Sequence, residues 1–348
     1  MTRRAQLLQA ASGCDELLLS DPATVTWLTG FAAEVIWGPS PFAAPPLAVV
    51  RADASVVAIV SSDEAAAIEG CEVLEYEGFT TGPLDPATRQ AAALRSLGLA
   101  GRVGIESASL AHALAPDGAV EVGGAVRALR AVKSADEIQR IRAAILLCDA
   151  GQAAARATFE PGVDELAVWG AAQAAIESAA GERVPLLCDV VSGPRTAAVG
   201  GPPIHRTSTE GDLAIIDLVP RLAGYWGDSC ATLSAGEPSS NVREQHARCV
   251  AALERGIAAI RPGLVAGELD ALVRDGLDYP HHTGHGVGTT VHEEPRIVPG
   301  GETVLAAGMV VALEPGCYPG PWGMRVERVV LVTATGSEVL SDHCIELA

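Results

Sequence analysis

The chain has 348 residues, 49% of them apolar, with 24 basic against 43 acidic side chains, a net charge of −19 and a mean hydropathy of +0.26. That length exceeds one ordinary core and points to two domains. The acidic balance, with no basic stripe, repels polyanions and excludes nucleic acid as a partner, and no apolar run approaches the ~18 residues of a spanning helix, which excludes a membrane partner.

The first residues carry two arginines but no continuous apolar segment of signal-peptide length, so a cytoplasmic protein is expected. DELLLS, PPLAVV, SVVAIV, CEVLEY and RVGIES read as strands between helix-like stretches such as DEAAAIEG and PATRQAAALRSLG, an α/β layout. Residues 31–46, FAAEVIWGPSPFAAPP, hold four prolines and three large aromatics, too many prolines for a helix and too little alternation for a surface strand. The Pro- and Gly-bearing stretch 115–131 is the best boundary. We place an N-terminal α/β domain at 1–124, a linker at 125–133 and a second domain at 134–348. Ser134 and Glu137 form a capping box that opens a long helix.

The second domain holds an internal repeat. One helix ends at TFEPGVDEL and another at AIRPGLVAGEL, with Pro161-Gly162 and Pro262-Gly263 separated by 101 positions. Each is followed by a further helix and then by a pair of acid-bearing strands. The eight cysteines show no C-x-x-C pair and are expected as reduced thiols.

Those acids carry the chemistry. Asp217 lies in LAIIDLV, flanked by Ile215, Ile216, Leu218 and Val219, as in a strand buried on both faces, where an unpaired carboxylate costs several kcal/mol. A hairpin turning at Leu222-Ala223 is expected to set Asp228, in GYWGDSCAT, directly opposite it, about 5 Å away between Cβ atoms. Glu314 ends the run MVVALE before Pro315-Gly316, and Glu327 shares a strand face with Arg325 in MRVERVVLVT. His285 sits in the glycine-dense HHTGHGVG, one of four histidines between His281 and His292. Four carboxylates and an imidazole favour Mn²⁺, Co²⁺ or Zn²⁺ over a thiolate site, and a pair of such ions serves hydrolysis of an amide or similar bond.

The order IIDLVPRLAGYWGDSCAT, HHTGHGVGTTVHEEP, ALEPGCY, MRVERVVLVT resembles the pita-bread metallopeptidases, within them the aminopeptidase P and prolidase branch. VKSADEIQRIRAAILLCDAG is similar to that branch's entry helix, and DPATVTWLTGF to its N-terminal signature, so the resemblance spans nearly the whole chain. It implies a pita-bread catalytic domain behind a smaller creatinase-like α/β domain. The expected activity is cleavage of the bond between an N-terminal residue and a following proline in peptides. Two divalent ions, Mn²⁺ foremost, are implied on Asp217, Asp228, His285, Glu314 and Glu327. Glu314 is also the implied proton shuttle. His281, His292, His205 and Arg325 match positions that line the substrate site or stabilise the tetrahedral intermediate. A homodimer or higher homo-oligomer is expected, with the 31–46 loop and Trp37 near its apex forming part of the substrate entrance.

Cys230-Ala231-Thr232 stands where the family often has Thr-Arg-Thr, and Arg328 follows Glu327 where an acid or Asn is frequent. Neither departure removes a ligand. Creatinase-like hydrolases and non-catalytic binding modules on this fold lose the acids, whereas all five ligand positions are filled here. Methionine aminopeptidases usually lack the upstream domain.

Overall fold

A computed structural model describes residues 3–33 and 40–347 of the chain, so the Trp37 assignment lies outside the described residues. The chain divides into two compact units, Met1–Arg130 and Ala131–Ala348.

The first unit contains β1 (Glu16–Leu19), β2 (Leu47–Val50), β3 (Val56–Ser61), β4 (Glu72–Tyr76), β5 (Val103–Ile105) and β6 (Val120–Glu121). They form one sheet in the order β4-β3-β2-β1-β5-β6, antiparallel at β1–β2 and β2–β3 and parallel elsewhere. Helices α1 (Arg3–Ala10), α2 (Pro22–Thr29), α3 (Pro86–Ser96) and α4 (Gly123–Ala131) accompany it. Near-continuous apolar strands such as LAVV and VVAIVS are buried throughout, as expected where both sheet faces are covered. In the DPATVTW segment, Asp21 caps α2, and buried Glu106 accepts hydrogen bonds from Ser20 N, Asp21 N and Thr24 Oγ1. The DEAAAIEG stretch is not a full helix but a single 3₁₀ turn, Ala65–Ala67. Only ten residues connect the parallel strands β3 and β4, too few for a packed crossover helix. Most of the stretch expected as a linker, residues 125–131, is helical within α4.

The second unit begins with α5 (Ala135–Thr158), whose N-terminus carries both hydrogen bonds of the Ser134/Glu137 capping box, and α6 (Glu165–Ala180). Then come β7 (Leu186–Ser192), β8 (Leu213–Leu222), β9 (Tyr225–Trp226) and β10 (Cys230–Ser234), with β8 between β7 and β10. The pattern repeats. Helices α7 (Ser240–Ala259) and α8 (Ala266–Arg274) precede β11 (Gly284–Gly286), β12 (Glu293–Ile297), β13 (Val310–Leu313), β14 (Gly316–Cys317), β15 (Met324–Arg325), β16 (Arg328–Val332) and β17 (Ser337–Val339). The second sheet runs β12-β11-β13-β16-β17, and β14 pairs with β15. Both repeated Pro-Gly turns hold glycine at positive φ, Gly162 at 92° and Gly263 at 89°. Each is followed by an equivalent isolated bridge, Asp164 to Thr207 and Val265 to Val304.

Strand alternation separates packing from chemistry. Ala214, Ile216 and Leu218 of β8 pack with Leu147 and Ala155 of α5 and Val168, Ala172 and Ile176 of α6. The alternate positions, Ile215 and Asp217, face away from those helices. In the second half Val311 and Leu313 of β13 pack with Cys249 and Leu253 of α7 and Leu269 and Val273 of α8. Ala312, on the other face, is opposite both His285 and Val329. Each half therefore has a second strand face that carries acids; in the second half Val310, Ala312 and Val329 on that face also pack with Ile141 and Ile145 of α5.

Candidate metal centre

Five side chains converge between these two strand sets. Asp228 is 4% exposed, His285 2%, Glu314 7% and Glu327 2%; Asp217 is partly buried. All five line one cavity of about 270 Å³, with Leu187, Cys188, Asp189, Val219, Val291 and His292. Ligand atoms of Asp217, Asp228 and Glu327 lie within 4.8 Å of one another, as do ring nitrogens of His282, His285 and His292. His285 links the groups, its Nε2 3.5 Å from Asp228 Oδ2 and 3.4 Å from Glu314 Oε1.

The hairpin differs from the sequence expectation by one residue at its turn and by two in register. Ala223 (φ 47°) and Gly224 (φ 85°) form the turn, because consecutive positive φ values match the twist of a two-residue hairpin. Asp217 consequently opposes Cys230, not Asp228. A shift of two keeps Asp228 on the same sheet face, as a diagonal neighbour. Its segment is anchored by Gly227 N to Pro220 O and Leu218 N to Ser229 O. From α5, Gln152 donates to Ile216 O and Ser229 O. A Cβ on Gly227 would collide with Ala144 O, so this close approach of helix and strand requires glycine.

Glu327 is set by its own N–H donating to Cys230 O, a bond between the two halves. Arg325 bonds Asp217, lies 3.5 Å from Glu314 Oε2 and donates to Val199 O. The histidine loop rests on a buried network. Thr283 Oγ1 donates to Asp270, Tyr279 OH lies 2.6 Å from Thr283 Oγ1, and Arg274 donates to Tyr279 O and His281 O. His281 is fixed at both nitrogens, Nδ1 by His282 O at 2.7 Å and Nε2 by Tyr318 OH at 3.2 Å. His292 lies outside the carboxylate group, its ring centroid 4.1 Å from that of His285. His205 stands apart: its side chain is 89% exposed and contacts Asp164 at 3.4 Å.

The electrostatics call for cations. Burial pushes Asp217 up to about 6 despite the Arg325 guanidinium. Burial and then the Asp217 charge raise Asp228 strongly, and burial and then the Asp228 charge do the same for Glu327. Burial also acts to raise Glu314, but hydrogen bonds from His282 and His285 with the Arg325 charge hold it well below the usual range. Asp217 Oδ1 and Glu327 Oε1 are buried without hydrogen-bond partners. Such orphaned acceptors are costly unless a cation satisfies them, so the donor set fits a divalent pair on Asp217, Asp228, His285, Glu314 and Glu327.

A pH dependence follows. The raised folded-state values mean the metal-free fold holds protons that the unfolded chain releases above its ordinary value near 4. Stability contributed by Asp217 protonation is therefore lost as pH rises through about 6, with Asp228 and Glu327 extending the window upward. Metal-free protein should lose thermal stability as pH rises from about 4 through about 6 and beyond, and Mn²⁺ should flatten that slope because ion binding displaces the same protons. Equal slopes in differential scanning calorimetry with and without Mn²⁺ would contradict this account.

His282 and Asp189 were not singled out in the sequence. His282 Nε2 lies 2.7 Å from Glu314 Oε1, and its place beside His281 in HHTGH was the available signal. For Asp189 it was an acid inside the apolar strand LLCDVVS.

With this geometry, the chain belongs to metallopeptidase family M24, which it matches over residues 139–334, with residues 2–143 matching the creatinase/prolidase N-terminal domain. A probable dipeptidase of Mycobacterium tuberculosis, PepE, is 38% identical over 232 residues, 63% of this chain and 60% of that protein. The chain thus spans less than two thirds of that relative's length. The Xaa-Pro dipeptidase of Pyrococcus furiosus is 32% identical over 235 residues, 65% of this chain and 68% of that one. Among solved structures, the prolidase from Pyrococcus horikoshii superimposes with a TM-score of 0.85 at 25% identity, covering 99% of each chain. The fold is the pita-bread catalytic domain with a creatinase-type N-terminal domain.

Proposed function

We propose that the protein hydrolyses the bond between an N-terminal residue and a following proline in peptides. The observation that carries this reading is the single cavity gathering four carboxylates and His285, with buried oxygens left unbonded. The names of the Pyrococcus relatives supply the substrate class. Asp217, Asp228, His285, Glu314 and Glu327 would hold two divalent ions, with Mn²⁺ preferred. Bound there, the ions supply an activated water and polarise the substrate carbonyl.

The protein's own groups do the rest. Glu314, kept ionised by His282 and His285, accepts the proton of the attacking water at its carboxylate and returns it to the departing proline nitrogen. Burial and neighbouring His285 and His282 push His292 down to about 4, so its ring is neutral near pH 7. A neutral ring has one N–H to donate to the developing oxyanion. Burial likewise brings His281 to about 4, and Tyr318 fixes its orientation beside the substrate. Arg325 aligns Asp217 and Glu314. His205 would reach substrate from its exposed loop. No described helix is long and apolar enough to cross a membrane; the finer reading is a cytoplasmic homo-oligomer.

Filled ligand positions favour this reading over a metal-free hydrolase or a binding module, and the matched N-terminal domain favours it over methionine aminopeptidase. Metal-loaded protein should release the first residue from Ala-Pro or Ala-Pro-Yaa peptides and leave Ala-Ala peptides nearly intact. Cleavage of the dipeptide alone makes it a dipeptidase, and cleavage of the tripeptide an aminopeptidase. Absence of both activities would overturn the proposal.

A further inference from the structure

We propose that Asp189 determines specificity in this cavity by binding a cationic nitrogen of the substrate's first residue. The inference rests on the peptidase reading above. Asp189 of β7 is directly opposite Asp217 of β8, and directly opposed residues share a sheet face, so its carboxylate lines the same cavity. The carboxylate lies close against the backbone of Gly200, where a Cβ would collide with it.

Two observations separate Asp189 from the ligand set. Its carboxylate is neither in the Asp217, Asp228 and Glu327 group, whose oxygens approach within 4.8 Å of one another, nor, unlike Glu314, against His285 or Arg325 among the described residues. The four ligand carboxylates already match two divalent ions in charge, which leaves Asp189 outside that balance. Nor does the protein supply it with a cation. Arg325 is engaged by Asp217, Glu314 and Val199 O, and no hydrogen bond or ion pair holds the Asp189 side chain among the described residues.

Like charges directly opposed across a strand pair are destabilising, and a half-buried carboxylate gains most from a charge-assisted hydrogen bond. The cavity, at about 270 Å³, falls below the ~300–1,000 Å³ of pockets for larger ligands and suits the end of a peptide. The end entering it carries an α-ammonium in every unblocked peptide and a second cation where the first residue is Arg or Lys. Leu187, Val219 and Val291 supply an apolar wall around that charge.

The test uses metal-loaded wild type, Asp189→Asn and Asp189→Glu. Calorimetric titration with alaninamide, argininamide and N-acetylalaninamide is read beside metal content and the KM for Ala-Pro and Arg-Pro. Asp189→Asn should weaken binding of an unblocked amide by about 10- to 100-fold, the scale of one charged hydrogen bond. Asp189→Glu should recover part of the loss, and the acetylated amide should bind all three proteins equally weakly. An equal loss for alaninamide and argininamide assigns the α-ammonium; a loss confined to argininamide assigns the basic side chain. Unchanged affinity for both would overturn the proposal, and so would a fall in metal content, which would make Asp189 a ligand. Wild type that binds the amides but cleaves no Xaa-Pro peptide would instead refute the peptidase reading and leave the role of Asp189 to the titration.

Discussion

Asp228→Asn should lose bound metal and peptidase activity together while the fold persists. The substitution preserves shape and removes one negative charge from a residue that faces Asp217 diagonally and lies 3.5 Å from His285 Nε2. Metal-assisted charge stabilisation is worth several kcal/mol, so kcat/KM should fall by at least about 10²-fold. The metal-free variant should also be no less stable than metal-free wild type, because the carboxylate it loses is one that burial and Asp217 push strongly upward. Inductively coupled plasma measurement of metal content, with kinetics after chelation and Mn²⁺ re-addition, checks both parts. Wild-type rates after re-addition would show that Asp228 is not a ligand.

His292→Ala should give the opposite pattern, with metal retained and kcat reduced about 10²–10³-fold, the scale of losing one oxyanion donor. The separation is expected because His292 lies beside His285, with ring centroids 4.1 Å apart, and outside the carboxylate group. KM should change less than kcat, since the donated bond strengthens only as the oxyanion develops. Metal loss without the kcat defect would reassign His292 to the ligand set through its proximity to His282 and His285.

Much of this centre was legible in the sequence because its acids interrupt apolar strands. Asp217 between Ile216 and Leu218, and Glu314 after MVVAL, are conspicuous since burial of a carboxylate needs a reason. The hairpin register was less legible. Gly224 was the local signal for the observed turn, but Ala223 at φ 47° is an unusual choice for a first position that favours Asn, Asp or Gly, which weakened it. Asp189 interrupts the apolar strand LLCDVVS as Asp217 interrupts its own, but its pairing with Asp217 across a connection through residues 193–212 leaves no local pattern. The helix expected at DEAAAIEG failed because composition favoured it while the short connection between β3 and β4 did not. His205 was legible only through its place in the motif order, because its ring is exposed and no burial of a polar group marks it in the local sequence.

The duplicated halves have a consequence for how the molecule comes apart. Asp217 and Asp228 belong to one helix–helix–sheet half, and Glu314, Glu327 and His285 to the other. On the proposed ligand set neither half owns a complete coordination shell, so ion affinity would also be adhesion between them. Opening the seam at the Glu327 N–H to Cys230 O bond would release the ions, and removing the ions would loosen the seam. Loaded with metal, the two repeats should therefore melt as a single cooperative body, with the catalytic cations serving as the rivet that joins them.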